Sequence, residues 1–413
     1  MSGTVSNSSE TGSGRTRIAY VVTHPIQYQA PLLRYFSQQA DIDLTVFFQT
    51  DFSLRRFFDP AFGRWIEWGL QLLEGYRSEV LPAIGPKDRV SFLFPVNYGI
   101  VSRLRRDRFD LLWVHGYTRW FNWVAMLVAR LRGIKILVRD DATAVSTQRS
   151  PIKKLIKRRL FFPLLNALAD GILVTGSLNR AYFLENGFAP ERIFPMPNTV
   201  DNDFFSELAK KAAARRAQFR AELGLAADRP VILFAGKFLA LKRPLDLLDA
   251  FNTLLQQGPA RPYLLFVGDG PLATALRDWA GAMGDDVRFL GFRNQAEMAA
   301  CYDLCSVFVL PSQYESWGMA VNEAMAVGRP VIVSNRVGCS VDLVRNGVNG
   351  YVFPCGDVTA LTKALASVLS STQQSEKMGE ASREIIDQWS FRQNLEGLRG
   401  AIACLRGGPA GRS

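Results

Sequence analysis

The feature that most constrains this chain is a regular alternation of short apolar segments with amphipathic helical patterns. Five candidate strands occupy the first half, at 17–22, 42–48, 111–115, 134–138 and 171–174. Five more occupy the second half, at 231–235, 263–267, 287–290, 306–310 and 331–333. Strands separated by helices form parallel sheets that helices cover on both faces. The sequence therefore predicts an α/β fold with two Rossmann-like, doubly wound domains.

The length also favours two domains, since 413 residues exceed one typical domain. Prolines and an asparagine interrupt regular structure at 195–201, between the two groups of strands. We therefore predict an N-terminal domain at 17–198 and a C-terminal domain at 199–388. Residues 1–16 are rich in Ser, Thr and Gly and lack an apolar signal segment, which predicts a disordered tail. No apolar run approaches the roughly 18 residues that a membrane-spanning helix needs.

The chain carries a net charge of +11, and its most basic segment lies at 152–162. There, four apolar residues follow helical spacing and the basic residues take the other face. The apolar residues are Ile152, Leu155, Ile156 and Leu160, and the basic residues are Lys153, Lys154, Lys157, Arg158 and Arg159. Such a helix, followed by Phe161 and Phe162, suits an anionic membrane surface, and arginines at 103, 105, 106 and 108 favour the same partner. An ordinary solvated surface helix is the alternative.

Two further features bear on partners and compartment. No recognisable nucleic-acid module accompanies the positive charge, so we predict no nucleic-acid partner. The five cysteines include no Cys-x-x-Cys pair, and we interpret them as reduced core thiols. The expected location is the cytoplasm, at the cytoplasmic face of the membrane.

Glu315 and Glu323, eight positions apart, are the strongest candidates for a functional site. A predicted strand precedes them, and the pattern from Gly318 to Gly328 predicts a helix that ends at Gly-Arg-Pro. A helix N-terminus after a strand and a polar loop offers unpaired N–H groups to an anion. Both carboxylates would then lie beside a bound phosphate and accept hydroxyl hydrogen bonds. The segment predicts a nucleotide-sugar site, although dipole compensation and a solvated face also explain such glutamates.

Flanking residues resemble a known family. Leu-Pro-Ser before Glu315, and Glu-Ala-Met-Ala-Val-Gly-Arg-Pro-Val-Ile from Glu323 onward, resemble the donor-site signature of retaining glycosyltransferases of family 4. The resemblance is strong over 231–357, and Trp317 stands where Phe is usual. Pro-Asn-Thr-Val-Asp at 197–201 resembles the family's interdomain link. The resemblance implies the GT-B fold, with an acceptor-side domain, a donor domain and a last helix at 389–413 that crosses back to the first domain.

The resemblance also implies roles for residues of the second domain. Lys237 and Lys242 match cations that contact the donor pyrophosphate, Glu323 would hold ribose hydroxyls and Glu315 hydroxyls of the transferred sugar. We predict His115, Glu315, Lys237 and Lys242 as catalytic. The other predicted donor contacts are Gly318, Met319, Gly268, Asp269, Leu290 and Phe292. A Gly-Asp-Gly such as 268–270 is also common as a plain strand-to-helix turn.

His24 and His115 are the two histidines of the chain, and both follow predicted strands of the first domain. Leu-Leu-Trp-Val-His-Gly at 111–116 resembles the family segment whose histidine lies against the donor sugar. His24 opens a polar loop where many members carry Gly-Gly, so we expect this loop to position the acceptor instead. Arg139 and Asp140 end another strand at the same rim and are predicted acceptor or donor contacts.

No metal and no cofactor are predicted. Asp-x-Asp occurs at 41–43 and 201–203, but neither motif lies between a strand and the phosphate loop. In the family resembled, cationic side chains and a helix dipole take the place of the ion.

These inferences predict a metal-independent retaining hexosyltransferase. The donor would be a nucleotide-sugar, with UDP-sugar favoured and GDP-sugar as the alternative, and the acceptor a glycan or lipid-linked glycan in envelope polysaccharide or exopolysaccharide synthesis. Other interpretations stay open: a catalytically silent nucleotide-sugar-binding or membrane-scaffold protein, or a phosphorylase or epimerase on the same fold. A nicotinamide dehydrogenase would need Gly-x-Gly-x-x-Gly between a strand and a helix, which the sequence lacks.

Overall fold

The computed structural model describes residues 14–59, 63–66, 71–86, 91–144, 151–257 and 261–407. The predicted tail at 1–16 lies outside the described residues except for its last three, and Thr16 begins the first strand.

The strands are numbered in chain order. They are β1 (Thr16–Val22), β2 (Ile42–Phe48), β3 (Phe57–Asp59), β4 (Arg64–Ile66), β5 (Arg77–Val80), β6 (Ala83–Ile84), β7 (Val96–Asn97), β8 (Leu111–His115), β9 (Lys135–Arg139), β10 (Gly171–Val174), β11 (Ile193–Pro195), β12 (Val231–Ala235), β13 (Tyr263–Val267), β14 (Val287–Gly291), β15 (Val307–Leu310), β16 (Val331–Ser334) and β17 (Gly350–Phe353).

The helices are numbered in the same way. They are α1 (Gln29–Ser37), α2 (Ile100–Arg103), α3 (Trp120–Leu131), α4 (Pro151–Ile156), α5 (Phe162–Leu168), α6 (Ser177–Glu185), α7 (Asn202–Ala213), α8 (Arg216–Glu222), α9 (Pro244–Gln257), α10 (Ala273–Ala280), α11 (Gln295–Leu304), α12 (Met319–Ala326), α13 (Ser340–Leu343), α14 (Val358–Val368), α15 (Thr372–Ile386) and α16 (Phe391–Arg406). A π-helical turn at Lys157–Phe161 joins α4 to α5.

Each domain is built on one parallel sheet. The strand order is β11-β10-β9-β8-β1-β2-β5 in the N-terminal domain and β14-β13-β12-β15-β16-β17 in the C-terminal domain. Every pairing within these two sheets is parallel. Helices cover both faces, so central strands such as β12 and β13 are buried along their whole length. The predicted architecture of two doubly wound domains is confirmed.

Sequence patterns missed the edge strands β5, β11 and β17. β5 is half exposed and reads Arg-Ser-Glu-Val, and β11 has three residues and ends at a proline, so neither carries an apolar run. Short and half-polar edge elements are held by their neighbours in the sheet more than by their own sequence.

Both sheets reverse their strand order at one central position. In the N-terminal sheet the reversal falls between β1 and β8, and in the C-terminal sheet it falls between β12 and β15. Loops diverge to opposite faces at such a position and leave a crevice at the carboxyl ends of the strands. The crevice in the N-terminal domain is bordered by the loops after β1 and β8, and the crevice in the C-terminal domain by the loops after β12 and β15.

The last helix joins the C-terminal domain to the core of the first. Leu395, Leu398 and Ala401 of α16 are buried in one cluster with Trp113 and Met196 of the N-terminal domain. Gly397 lets the helix approach closely, because a Cβ there would lie 1.6 Å from the carbonyl oxygen of Pro195. The chain therefore crosses between the domains twice, near residue 198 and again before α16.

A second set of contacts joins the domains beside the crevice. Asn322 of α12 donates to the carbonyl of Asn198 (2.9 Å) and accepts from the indole N–H of Trp317 (2.8 Å). Trp317 in turn lies against Trp389, with ring centroids 5.3 Å apart. Gly176, in the loop after β10, leaves room for that indole, since a Cβ would meet the Trp317 ring at 2.4 Å. These close approaches fix how the two crevices face each other.

Helix α6 receives its N-terminal cap from the other domain. Its own N-cap residue is Gly176, which has no side chain to accept a hydrogen bond. Asp342 of α13 accepts from the backbone N–H of Ser177 (3.0 Å) and from its hydroxyl (2.5 Å). A carboxylate at a helix N-terminus satisfies unpaired N–H groups and compensates the helix dipole. One side chain thus stabilises both a helix and the contact between the two domains.

We expect Asp342→Ala to loosen the domains relative to each other. Loss of a cap costs about 1 kcal/mol of unfolding free energy, and here the lost contact also spans the interface. Small-angle scattering of the unliganded chain should give a larger radius of gyration for the variant than for the wild type.

Asp357→Ala is the matched control for that comparison. Asp357 caps α14 within the C-terminal domain by accepting from the N–H of Ala360 (2.8 Å). The Asp357→Ala variant should lose a similar free energy of unfolding without a change in its radius of gyration. Equal radii for both variants would show that the Asp342 contact does not hold the domains together.

Candidate active site

Two adjoining cavities occupy the space between the domains. The larger, about 410 Å³, lies between the loops after β8 and β9 on one side and those after β12 and β15 on the other. The smaller, about 180 Å³, is lined mostly by residues of the C-terminal domain. Tyr28, Ala235, Gly236 and Ala320 line both cavities, which therefore form one continuous site. We call the larger cavity the outer cavity and the smaller one the inner cavity.

Glu323 lies in the inner cavity and is 4% exposed. Its Oε2 accepts from the Tyr302 hydroxyl (2.7 Å), while Oε1 makes no hydrogen bond of normal geometry with any described residue. Burial raises its pKa to about 7, and the hydroxyls of Tyr302 and Tyr28 oppose that rise without cancelling it. A buried carboxylate with a free acceptor oxygen is poorly satisfied on its own and is suited to receiving hydroxyl donors.

Both predicted lysines lie at the outer cavity, each paired with a carboxylate. Lys242 forms a short ion pair with Glu315, and Lys237 pairs with Asp59 (2.9 Å) of hairpin β3–β4. Asp59 belongs to the N-terminal domain, so the second pair spans the cleft. Two cations thus lie at one wall of the outer cavity. An anion in the cavity could replace a carboxylate as the partner of either lysine.

Helix α12 begins at the wall of the outer cavity. Gly318 precedes it with φ +105°, a conformation that favours glycine, and a Cβ would meet Val337 at 3.0 Å. Gly318, Met319 and Ala320 line the cavity, and the Val321 N–H turns back to the carbonyl of Gly318 (2.8 Å). The first N–H groups of the helix and its positive dipole end therefore border the same space as the lysines.

Gly268 and Gly270 have a packing role beside the turn after β12. A Cβ on Gly268 would lie 1.9 Å from the Gly236 carbonyl oxygen, and one on Gly270 would lie 2.9 Å from the backbone of Phe238. The turn after β13 therefore packs backbone to backbone against the turn after β12. This contact holds Gly236 and Lys237 in place at the cavity.

His115 ends β8 and lines the outer cavity. Its ring nitrogens lie 3.3 Å (Nδ1) and 3.4 Å (Nε2) from the side-chain nitrogen of Gln29, the first residue of α1. Burial lowers its pKa to about 4, the Asp141 carboxylate opposes that shift and the Arg139 guanidinium adds to it. The imidazole is therefore neutral at pH 7.

Arg139 lines the outer cavity but also supports the interdomain link. It is 4% exposed, and its Nη2 donates to the carbonyl of Pro197 (3.1 Å) and to Asn198 Oδ1 (2.8 Å). Asn198 in turn donates to Asp141 (3.2 Å), which lies at the same cavity.

Some of the other predicted site residues line a cavity and some do not. Gly268 and Phe292 line the inner cavity, whereas His24, Asp140, Asp269 and Leu290 are not among the residues that line either cavity. His24 packs on Phe52 (centroids 4.6 Å apart), and burial lowers its pKa to about 4. Asp140 and Asp269 accept from nearby backbone N–H groups of Ala142 and Gly270. Their predicted ligand contacts remain untested.

Sequence patterns missed four residues of the site, namely Tyr28, Gln29, Tyr302 and Asp59. The loop after β1, flagged for His24, instead delivers Tyr28 to Glu323 and Gln29 to His115. Tyr302 projects from α11, where a buried aromatic is ordinary core, and Asp59 lies on a short hairpin without a motif. The sequence signal that could have identified Tyr28 and Gln29 is the polar run at the carboxyl end of the central strand β1.

The predicted membrane helix differs from the expected pattern at Lys157. Its Nζ donates to the hydroxyls of Tyr117 (3.1 Å) and Tyr182 (2.9 Å) and lies 4.9 Å from the Phe162 ring centroid. Lys157 therefore points into the domain, and its predicted place on the exposed basic face is wrong. Arg158 and Arg159 are exposed, and the side chains of Lys153 and Lys154 lie outside what the structure describes.

The four apolar residues that follow helical spacing are exposed, whereas Phe162, predicted to face the membrane with them, is buried in the domain. Ile152 and Leu160 are each 70% exposed, and Leu155, Ile156 and Leu164 are also exposed. The second arginine cluster is less available, since Arg103, Arg105 and Arg106 pair with Glu79, Asp107 and Asp110. The helix therefore presents apolar and basic groups together at the surface.

The described residues contain no cluster of three or more His, Cys, Asp or Glu side chains arranged to hold a metal ion. In the same part of the chain, no helix has the length and apolar character needed to cross a bilayer.

Part of the chain is similar to known glycosyltransferases. Residues 215–385 match the family described as glycosyl transferases group 1. The D-inositol 3-phosphate glycosyltransferase of Saccharomonospora viridis is 33% identical over 233 residues, which are 53% of this chain and 52% of that protein. The putative glycosyltransferase EpsF of Bacillus subtilis is 28% identical over 272 residues, 65% of this chain and 67% of EpsF. The chain thus spans about half the length of the first relative and two thirds of the second.

The fold has solved counterparts. The crystal structure of Anabaena HepE in complex with UDP and glucose superposes with a TM-score of 0.68 at 17% identity and covers 96% of this chain and all of that one. The predicted GT-B arrangement is therefore confirmed. The match of residues 215–385 to the glycosyl transferases group 1 agrees with the resemblance seen in the sequence at that level.

Proposed function

We propose that this chain is a retaining glycosyltransferase of family 4 that moves a hexose-type sugar from a nucleotide-sugar to a glycan or lipid-linked acceptor. The observation that carries the proposal is the continuous pair of cavities between the domains. The inner cavity holds Glu323 with a free acceptor oxygen, and the outer one holds two cations and a helix N-terminus. Hydroxyl acceptors beside an anion site are what a nucleoside diphosphate sugar requires.

In this proposal the nucleoside occupies the inner cavity. Its ribose hydroxyls donate to Glu323, and its base lies near Phe292, which lines the same space. The diphosphate then reaches the outer cavity, where Lys237, Lys242 and the first N–H groups of α12 surround it. Binding exchanges the ion pairs to Asp59 and Glu315 for pairs with phosphate, and Glu315 becomes available for hydroxyls of the transferred sugar.

The same groups stabilise the transition state of the reaction. Sugar transfer passes through an oxocarbenium-like state while negative charge builds on the departing diphosphate. Preorganised cations and amide N–H groups in a closed cleft stabilise that charge most effectively, and we infer that they do so without a required metal. We infer retention by front-face attack, with the leaving phosphate helping to deprotonate the acceptor and His115 placed against the transferred sugar.

A UDP-sugar is the favoured donor and a GDP-sugar the alternative. The fold relative HepE was crystallised with UDP and glucose, which supports a uridine donor by analogy of fold alone. The acceptor class follows from the surface. Exposed apolar and basic groups on the helix 151–168 suit an anionic membrane that carries a lipid-linked glycan, as in envelope polysaccharide or exopolysaccharide synthesis.

We expect donor binding to be coupled to the ionisation of Glu323. Hydroxyl donors favour the charged carboxylate, so donor binding lowers its pKa from about 7. Donor affinity should therefore fall about tenfold for each pH unit below 7 and level off above it. Thermal-shift titrations with UDP-, GDP-, ADP- and dTDP-sugars between pH 5.5 and 8, in a chelator, measure this dependence and identify the base.

Glu323→Gln tests the residue itself. Its side chain cannot ionise, so the variant should bind donor weakly and without that pH dependence. The unliganded variant should also be more stable above pH 7, because a buried acid with a raised pKa loses stability as pH rises from its unfolded value towards 7, here by about 3 kcal/mol. Glu380→Gln, at an exposed position of α15, makes the same charge change and should alter neither property.

The outcomes separate the alternatives. Donor-dependent release of nucleotide with transfer to an acceptor supports the transferase. Donor binding without nucleotide release in any acceptor extract would favour a silent nucleotide-sugar-binding protein, and phosphate-dependent turnover would favour a phosphorylase. Near-normal transfer by Glu323→Gln would contradict the assignment of the donor site.

We expect membrane binding to depend on the exposed apolar residues of helix 151–168. Ile152→Ser/Leu160→Ser removes two apolar side chains, each worth about 1.5–3 kcal/mol when fully buried. The variant should bind phosphatidylglycerol vesicles at least about tenfold more weakly in a sedimentation assay.

Val341→Ser/Val348→Ser is the control for that assay. It removes two exposed apolar side chains from the C-terminal domain and should leave vesicle binding unchanged. Equal binding of both variants, or equal binding of the wild type to neutral phosphatidylcholine, would reject the anionic membrane as partner.

A further inference from the structure

Hairpin β3–β4 presents two aromatic side chains to solvent. Its strands pair antiparallel, and their register sets Phe58 opposite Trp65. The two ring centroids lie 5.9 Å apart at an interplanar angle of 71°. Phe58 is 49% exposed and Trp65 is 55% exposed. A cross-strand aromatic pair stabilises a hairpin by itself, but in this hairpin much of each side chain also stays open to a ligand.

The opposite face of the hairpin is bound to the domain. Side chains alternate between the two faces of a strand, so Phe57, Asp59 and Ile66 point away from the aromatic pair. The Phe57 ring packs on Phe52 with centroids 5.2 Å apart, and Ile66 is 2% exposed. The aromatic pair therefore lies on an anchored element.

The position of the hairpin relates the pair to the candidate active site. Asp59, next to Phe58 in β3, accepts from Lys237 Nζ (2.9 Å), and Lys237 lines the outer cavity. Ser53, in the turn before the hairpin, donates to the carbonyl of Pro25 in the loop after β1 (2.7 Å). The hairpin thus belongs to the N-terminal domain and borders the outer cavity from that side.

We propose that Phe58 and Trp65 form a subsite for a pyranose ring of a glycan acceptor, next to the sugar unit that receives the transferred group. This inference rests on the proposed function and specifies its acceptor as an oligosaccharide, because the pair is not among the residues that line either cavity. A pyranose has faces made of C–H groups with partial positive charge, and the face of an aromatic ring is negative. Stacking the two removes apolar surface of both from water.

A cation beside the pair supplies a directional contact. The Arg56 guanidinium carbon lies 5.8 Å from the Trp65 ring centroid. A guanidinium has five N–H donors and no acceptor, so it can bind hydroxyl or carboxylate oxygens at the edge of a stacked sugar. Apolar walls with a few placed polar groups are the usual composition of a small-ligand site.

Exposed aromatic rings also suit a membrane interface, and the surface of the chain favours the glycan at this hairpin. The exposed apolar residues of helix 151–168 are all aliphatic. Such side chains suit acyl chains but offer no negative ring face to a sugar. The aromatic pair instead lies on the element that contacts Lys237, where an acceptor glycan has to pass.

Fluorine labels follow Trp65 directly and need no donor. The chain has eight tryptophans, so the full-length protein labelled with 5-fluorotryptophan gives eight ¹⁹F signals, and Trp65→Phe identifies that of Trp65. The probes are cellotetraose, mannotetraose and galactotetraose, each added up to its solubility. At least one probe should shift the Trp65 signal and leave the Trp279 signal in place, since Trp279 is an exposed residue (44%) of the other domain.

Variants separate a stacking surface from a structural pair. Phe58→Leu keeps the Trp65 signal but removes one aromatic face, so the probe concentration at half shift should rise about fivefold. In transfer assays with a glycan acceptor, Trp65→Leu should raise the acceptor KM about tenfold with little change in kcat or donor KM. Trp65→Phe retains an aromatic face and should recover most of that loss. Trp279→Leu is the matched control and should change none of these quantities.

The outcomes judge the subsite and the transferase separately. No shift of the Trp65 signal with any of the three probes would overturn the subsite, and so would transfer to a glycan whose KM is the same in Trp65→Leu and the wild type, although the proposed function would then stand. A Trp65 shift in a chain that transfers no sugar would support the subsite alone. Weaker binding of Phe58→Leu to phosphatidylglycerol vesicles, with an unchanged probe response, would assign the pair to the membrane instead.

Discussion

The packing of α16 on the N-terminal domain is the constraint on which the site depends. Both groups of site residues lie on loops at the carboxyl ends of two separate sheets, and neither sheet alone encloses a ligand. Leu395, Leu398 and Ala401 bury a face of the chain's last helix in the first domain, while the link near residue 198 passes beside it. With two crossings the domains cannot separate freely, and the smaller contacts of Asn322, Trp317 and Asp342 then set how far the cleft closes.

The lysines of the cleft are paired with carboxylates, whereas Glu323 has no cationic partner among the described residues. This difference indicates which chemical groups of a ligand each part of the cleft would bind. Lys237 and Lys242 are each neutralised by a carboxylate, so neither lysine needs a bound anion. A ligand anion could still replace either carboxylate as the partner of its lysine. Glu323 has no such cation among its described neighbours, and burial raises its pKa to about 7 although the hydroxyls of Tyr302 and Tyr28 oppose the rise. Burial of an unpaired carboxylate lowers the stability of the fold, and proteins keep such a group where their function uses it. The pocket is therefore better suited to hydroxyl donors than to a second anion.

Local sequence was sufficient for features set by local rules. The strand alternation predicted both parallel sheets. Lys237, Lys242, Glu315 and Glu323, singled out by their motifs and by the family resemblance, follow strands whose carboxyl ends meet at one crevice. What escaped prediction was tertiary in origin. Gln29 and Tyr28 matter because β1 lies next to β8 and faces the other domain, and Asp59 because a short hairpin reaches across the cleft. His24 packs on Phe52, and its contact with an acceptor stays a prediction.

Lys157 shows how the surface helix is joined to the site. The periodic pattern put it on a solvated basic face, but the π-helical turn Lys157–Phe161 rotates it inward among Tyr117, Tyr182 and Phe162. A wide turn of this kind shifts the helix register by one residue and is frequent at functional sites. Tyr117 is two residues from His115, and its carbonyl accepts from the Trp123 indole (2.9 Å). The helix is therefore anchored to the strand end that carries His115, so contact with a membrane would orient the whole N-terminal domain rather than move the helix alone.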